Sequence, residues 1–253
     1  MNNILHTTFF ALLACTLTYG QQLGTTAPAG GGFENDPYAN FQKKTPMMYK
    51  LFQLVKNNAT EIKYDLGATI GSPFETKEYT KGKVYYDNEY LGDFYYRFNA
   101  YNQEIELKKT LLPEEKMQAL IQDPKVTLTA NGERYVYARM FTEKGNTEDG
   151  YLKLFYEGDR YNLYKRYIVN FKEGKPAENS MVTAIPSRFT NYIEYYYKDL
   201  EKNTIKEIPH KQSRFLKLFK EANATKLKEF IKANDLDLSV QDDLIALYGS
   251  LEN

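Results

Sequence analysis

Five arginines lie among tyrosines in stretches of alternating polarity: Arg97, Arg134, Arg139, Arg166 and Arg188. A guanidinium stacked on a phenol ring can line a polar groove, because the ring face attracts the cation and the planar fork binds carboxylates. Tyr95, Arg97, Arg139, Tyr164, Arg166 and Tyr192 are therefore the candidate binding residues. The competing reading is cross-strand pairing on a solvated sheet face. Glu104 and Glu106 are the acids whose spacing could do chemistry. Two residues apart on one strand face, they stand roughly 7 Å from each other, a separation that suits glycoside hydrolysis. Ile105 and Leu107 take the opposite face, which turns both acids toward water. Asp242 and Asp243 read as acids at a helix N-terminus.

The sequence holds two histidines, His6 and His210, and one cysteine, Cys15. His6 and Cys15 fall in the first apolar stretch, so a processed chain keeps one histidine and no thiol. Disulfides, thiolate or multi-histidine metal sites and a Cys–His pair are then excluded. A Ser–His–Asp triad would have to use His210, which follows Pro209 at a domain junction and reads as a surface residue. No phosphate-binding glycine loop, zinc signature, dinucleotide fingerprint or nucleophile elbow is present, so neither a cofactor nor a catalytic residue is expected. Lys+Arg and Asp+Glu each number 33. Without a basic excess to replace counterions, nucleic acid is not an expected partner.

The elements that must position these residues begin after a leader. Ile4 to Tyr19 is apolar and uncharged, with Thr18 and Gly20 at the −3 and −1 positions before Gln21. This is a signal-peptide pattern over residues 1–20, although its start lacks Lys and Arg. Leu12-Leu13-Ala14-Cys15 also resembles a lipobox, in which Cys15 would carry lipid and anchor the chain at the outer membrane. The apolar run continues past Cys15, which favours export to the periplasm or the exterior. No later segment approaches the apolar length of a transmembrane helix. Residues 21–45, rich in Gly, Pro, Ala and Thr, read as a flexible linker.

Residues 46–208 form the expected β-rich domain. Pro46 opens a short helix with Met48, Leu51, Phe52 and Val55 at helical spacing. From Ile62 the period becomes two. Strands are expected at Lys83–Asp87, Leu91–Asn99, Gln103–Lys109, Lys125–Ala130, Arg134–Thr142, Tyr151–Glu157, Tyr161–Lys172 and Phe189–Lys198. In the longest, Leu163, Tyr167, Val169 and Phe171 share a face, with Lys165 breaking the row. The 23 Tyr and 15 Phe suit such pleated, half-buried surfaces. Asp87-Asn88, Gly92-Asp93, Asn131-Gly132 and Gly158-Asp159 supply turn chemistry. Tyr-x-Gly-Asp-x-Tyr occurs at Tyr90–Tyr95 and again at Tyr156–Tyr161, which predicts two similar tight turns. Pro113-Glu114-Glu115, followed by Met117, Leu120 and Ile121, predicts an interrupting helix. Residues 209–253 form a helical segment whose last helix takes Ser239 as its N-cap.

Gly71-Ser72-Pro73-Phe74, KGKVYYDN at Lys81–Asn88, RFNAYNQEIEL at Arg97–Leu107 and the ending from Leu227 to Glu252 resemble a loose group of uncharacterised exported Bacteroidota proteins. The resemblance implies an envelope location and carries no activity.

The expected fold is mainly β: an antiparallel curved sheet or barrel-like meander of about eight or nine strands with a small helical appendage. A two-sheet sandwich is the alternative. The expected function is non-enzymatic: an exported envelope protein that binds a partner protein or ligand through its Tyr/Arg-rich sheet face. One alternative is a barrel-type periplasmic carrier of a small apolar, lipid-like ligand. The other is a carboxylate-based hydrolase, which needs two acids converging in a cleft.

Overall fold

The computed structural model describes residues 55–56, 69–179, 181 and 183–252. The expected leader with its lipobox-like stretch at Cys15, the expected linker and most of the helix expected after Pro46 lie outside the described residues. Val55, expected on that helix, belongs instead to a two-residue strand, β1 (Val55–Lys56).

Ten more strands follow. They are β2 (Thr80–Tyr86), β3 (Glu89–Asn99), β4 (Glu104–Lys108), β5 (Gln118–Leu120) and β6 (Val126–Ala130). Then come β7 (Glu133–Phe141), β8 (Thr147–Glu157), β9 (Tyr161–Lys172), β10 (Arg188–Asp199) and β11 (Thr204–Glu207). The order along the sheet is β1-β5-β4-β3-β2-β6-β7-β11-β10-β9-β8, and β7 also pairs with β8. Strands β7 to β11 therefore close on themselves as a small barrel, and β6 to β1 continue from β7 as an open sheet. Closure uses a single parallel pair, Lys206 with Phe141. The mainly β, curved-meander expectation holds, and all eight expected strands are present.

Turn chemistry fixes the hairpins. Asp87 and Asn88 have φ of 52° and 66° between β2 and β3, and Asn131 and Gly132 have φ of 51° and 80° between β6 and β7. Both residues in the left-handed region match the twist of the flanking strands. The repeated Tyr-x-Gly-Asp-x-Tyr splits into two fates. Tyr156–Tyr161 makes the β8–β9 turn, whereas Tyr90–Tyr95 runs along β3, where Leu91 is the extra residue of a bulge opposite Val84 and Tyr85. Gly92, at φ 155°, accommodates that bulge. The helix expected from Pro113 is absent. Gln118–Leu120 is strand β5, pinned between β4 and β1. Met117, Leu120 and Ile121 stand at helical spacing, and strand pairing overrides that local signal.

Side chains sort by parity into three cores. Val136, Met140, Leu152, Leu154, Tyr164, Tyr196 and Ile205 fill the barrel interior. On the outer face, Tyr135, Tyr151, Val169 and Phe189 pack with Phe98, Ile105 and Leu128 of the open sheet. Farther along the same outer face, Tyr161, Leu163, Tyr195 and Tyr197 pack beneath three helices: α1 (Gln212–Phe215), α2 (Glu221–Asn234) and α3 (Gln241–Gly249). Burial of each such large side chain contributes about 1.5–3 kcal/mol. Lys165, which breaks the apolar row of β9, lies at the boundary between these two outer cores.

The helical end is tied down by specific contacts. Glu252 accepts hydrogen bonds from the Arg160 and Tyr161 N–H groups and the Tyr156 hydroxyl, clamping the β8–β9 turn. An added Cβ at Gly158 would push that carboxylate out of its place. Val240, not Ser239, is the N-cap of α3, and Ser239 donates instead to Asp237. Asp242 and Asp243 do occupy its first turn. Among the described residues, no helix is long and apolar enough to cross a membrane.

Candidate functional site

The structure does not bring the six candidate Tyr and Arg residues together. Arg97 on β3 faces Glu106 on β4 in direct register, with Nη2 2.6 Å from Oε2. Its guanidinium lies 3.6 Å from the Phe74 ring centre and 4.6 Å from that of Tyr79. Arg139 pairs across to Asp149 at 2.9 Å on the surface. Arg166 faces Glu194 in register and binds Glu148 at 2.5 Å. Tyr164 is buried in the barrel interior, Tyr95 stands beside Lys81, and Tyr192 is exposed on β10. Each arginine is thus engaged across a strand pair.

Glu104 and Glu106 do not face water: both are buried. The strand is covered on both faces, because Arg97, Tyr79 and Asn99 all donate to Glu106. A carboxylate held by that many donors is a structural anchor. The Gly-Ser-Pro-aromatic segment explains the cover. Ser72 Oγ accepts from the Phe74 N–H, the Pro73 carbonyl accepts from Ala100 and Tyr101, and Phe74 then sits against Arg97.

A second polar cluster sits at the seam between the two outer cores. Lys153 Nζ lies 2.6 Å from Glu75 and 2.9 Å from Glu133, and Lys165 reaches Glu133 at 2.8 Å and Gln241 at 3.0 Å. The Tyr135 hydroxyl donates to Glu75. Burial alone would lower the Lys153 pKa, but Glu75 and Glu133 more than offset it and hold the ammonium above its ordinary range. Burial and Glu75 push the Tyr135 phenol up. Lys153 stays charged and Tyr135 stays neutral, so neither is an activated nucleophile.

The open site lies elsewhere, at the barrel closure. A groove of about 700 Å³ runs beside Phe141, Lys206, Glu207, Pro209, Arg214 and Leu218. Its apolar wall includes Phe141 and Leu218, which stay 38% and 39% exposed. Three separate segments build it: the β7–β8 turn, β11 with the residues flanking it, and α1 with the 3-10 turn Leu216–Leu218. Arg214 pairs with Glu143 at 2.5 Å, and Lys202 pairs with Asp199 at 2.8 Å. Lys206 and Lys217, which also line the groove, make no ion pair among the described residues. Glu207 accepts the Glu143 N–H at 2.6 Å. Burial, with Glu194 and Glu143 nearby, raises the Glu207 carboxyl above the usual carboxylate range.

These residues carried no sequence signal, because Lys, Glu and Leu in three distant segments have no characteristic spacing. Among the described residues no group of three or more His, Cys, Asp or Glu is placed to hold a metal ion. No family model, curated protein or solved structure matches the chain.

Proposed function

We propose that this is an exported, non-enzymatic binding protein whose ligand is an amphipathic anion seated in the groove at the barrel closure. One observation carries the reading: an exposed apolar wall, Phe141 and Leu218, adjoins two lysines, Lys206 and Lys217, that make no ion pair among the described residues. Apolar walls with a few convergent charges are the usual form of a small-molecule site. The barrel interior is filled by its own side chains, so the ligand belongs outside the barrel. The signal-peptide pattern of residues 1–20 supports an envelope setting, where lipid-like carboxylates and phosphates are the matching chemistry.

Native mass spectrometry of protein purified from its host envelope tests this reading. A co-purifying small mass that is lost on gentle activation, and is absent from the Lys206→Glu/Lys217→Glu variant, is the expected result. A ligand-free protein that also fails to take up medium-chain carboxylates or alkyl phosphates would sink it.

A second reading draws on Glu143 and Glu207, two carboxylates that line the same groove, the minimum a carboxylate hydrolase needs. Turnover of an arylglycoside or aryl ester that disappears in Glu207→Gln would favour it over simple binding.

A further inference from the structure

Strand β10 has an edge that is only partly covered. Next to it, Ile70 forms a parallel bridge with Arg188, and the Phe189 N–H donates to the Ile70 carbonyl. Farther on, the Tyr195 carbonyl accepts from Ile208, and β11 pairs from Tyr196 onward. Main-chain groups of alternate residues point to the same side of a strand. Asn191 and Ile193 therefore direct their N–H and C=O groups to this edge, and among the described residues no main chain receives them.

Gly71 keeps this lane open. At φ 88° the chain turns off the β10 edge there, and an added Cβ would stand 2.5 Å from the Phe189 carbonyl oxygen. Two cavities adjoin the lane, sharing Glu75 and Tyr167. One, of about 350 Å³, includes Ser72, Lys77 and Asn191. The other, of about 80 Å³, sets the aromatic walls of Phe98, Tyr135 and Tyr151 and the side chain of Ile193 beside the paired Lys153 and Lys165 of the seam.

We propose that this lane binds an extended, acidic peptide segment of a partner protein by strand addition. Main-chain hydrogen bonds to Asn191 and Ile193 would hold it, and an apolar side chain would enter the aromatic-walled cavity. Charge selects the acidic group. Lys77 has no ion pair among the described residues, and Arg188 stands directly opposite Lys172 across β9 and β10. Two like charges in register are unfavourable, and a carboxylate at that end relieves both. A peptide antiparallel to β10 brings its C-terminal end there, so the carboxylate comes from an acidic side chain or from a free C-terminus. A second copy of this chain fits poorly. Its β10 would continue into lanes already filled by Ile70 and β11.

The test uses the full processed protein against an immobilised hexapeptide library with free or amidated C-termini. Wild type should select acidic sequences with one apolar position, and the Asn191 and Ile193 amides should gain hydrogen-exchange protection when a selected peptide is added. Ile193→Pro removes an outward donor without touching the β9 ladder. It should weaken binding about tenfold while the unfolding midpoint is kept. Loss of selection on amidation assigns the carboxylate to the C-terminus, and its persistence assigns it to a side chain. The proposal is overturned if no acidic peptide is selected, or if both amides are already protected in the free protein. Binding that ignores both Ile193→Pro and Lys77→Glu would also overturn it. Lys206→Glu and Lys217→Glu should leave this peptide binding intact, which separates it from the groove.

Discussion

The seam around Lys153 and the groove around Lys206 contain nearly the same residue types, yet they differ in balance and access. At the seam, Lys153 and Lys165 meet Glu75 and Glu133 within hydrogen-bonding distance, and the Tyr135 ring stands 4.7 Å from the Lys153 ammonium. In the groove, Arg214 and Lys202 are paired, Lys206 and Lys217 make no ion pair among the described residues, and the wall is apolar and open. Composition alone does not separate scaffold from site. The unpaired charge beside accessible apolar surface does.

The sharpest way to break this contrast is to unbalance the seam. Lys153→Ala leaves the largely buried Glu75 without its cation, while Glu133 keeps Lys165, and should cost about 3 kcal/mol, read as a lower urea midpoint. A loss below about 1 kcal/mol would mean water reaches the seam and the comparison fails. In the groove, Lys206→Glu with Lys217→Glu should abolish uptake of an anionic amphiphile and leave the urea midpoint where it was. If the midpoint moves as far as it does for Lys153→Ala, those lysines are scaffold too.

The two regions also titrate in opposite senses. Burial raises the Glu133 pKa, but hydrogen bonds and charge from Lys153 and Lys165 outweigh it, and the net shift is downward. A carboxyl depressed in the fold adds stability that is present above the unfolded pKa and lost as pH falls through the folded one. Acid titration of unfolding should therefore be steeper for wild type than for Glu133→Gln. Glu207 is raised, so its charged form is penalised near neutrality and the penalty fades as pH falls. Glu207→Gln should raise the midpoint at pH 7. In wild type, anion uptake should strengthen as Glu207 is neutralised on acidification, and that trend should flatten in the variant. The smallest expected effect is at Arg139. Its pair with Asp149 copies the cross-strand geometry of Arg97 and Glu106 but is solvated, and Arg139→Ala should leave stability unchanged.

Most of the sheet was legible because Tyr, Phe, Val and Ile at period two have one economical solution. Three elements were not. Strands β1 and β11 are too short to show a period, and the helical spacing of Met117, Leu120 and Ile121 is overridden by pairing with β4 and β1. The burial of Glu106 was also hidden, since alternation implies one wet face, and the cover comes from Phe74 and Tyr79, about thirty residues earlier in the chain. Lys165 was visible as an interruption of the apolar row. Only the packing shows that it marks the junction of two cores. The groove left no trace, because its residues meet only when the barrel closes.

That closure has a mechanical side. Strands β9 and β10 zip together along all 12 residues of each, while β11 latches to β7 through one pair. The latch is the joint at which the barrel should breathe first, and the groove straddles it. A molecule lodged there would touch both leaves of the joint and act as a bolt, so occupancy should be felt as slower opening of β11 before any change in shape.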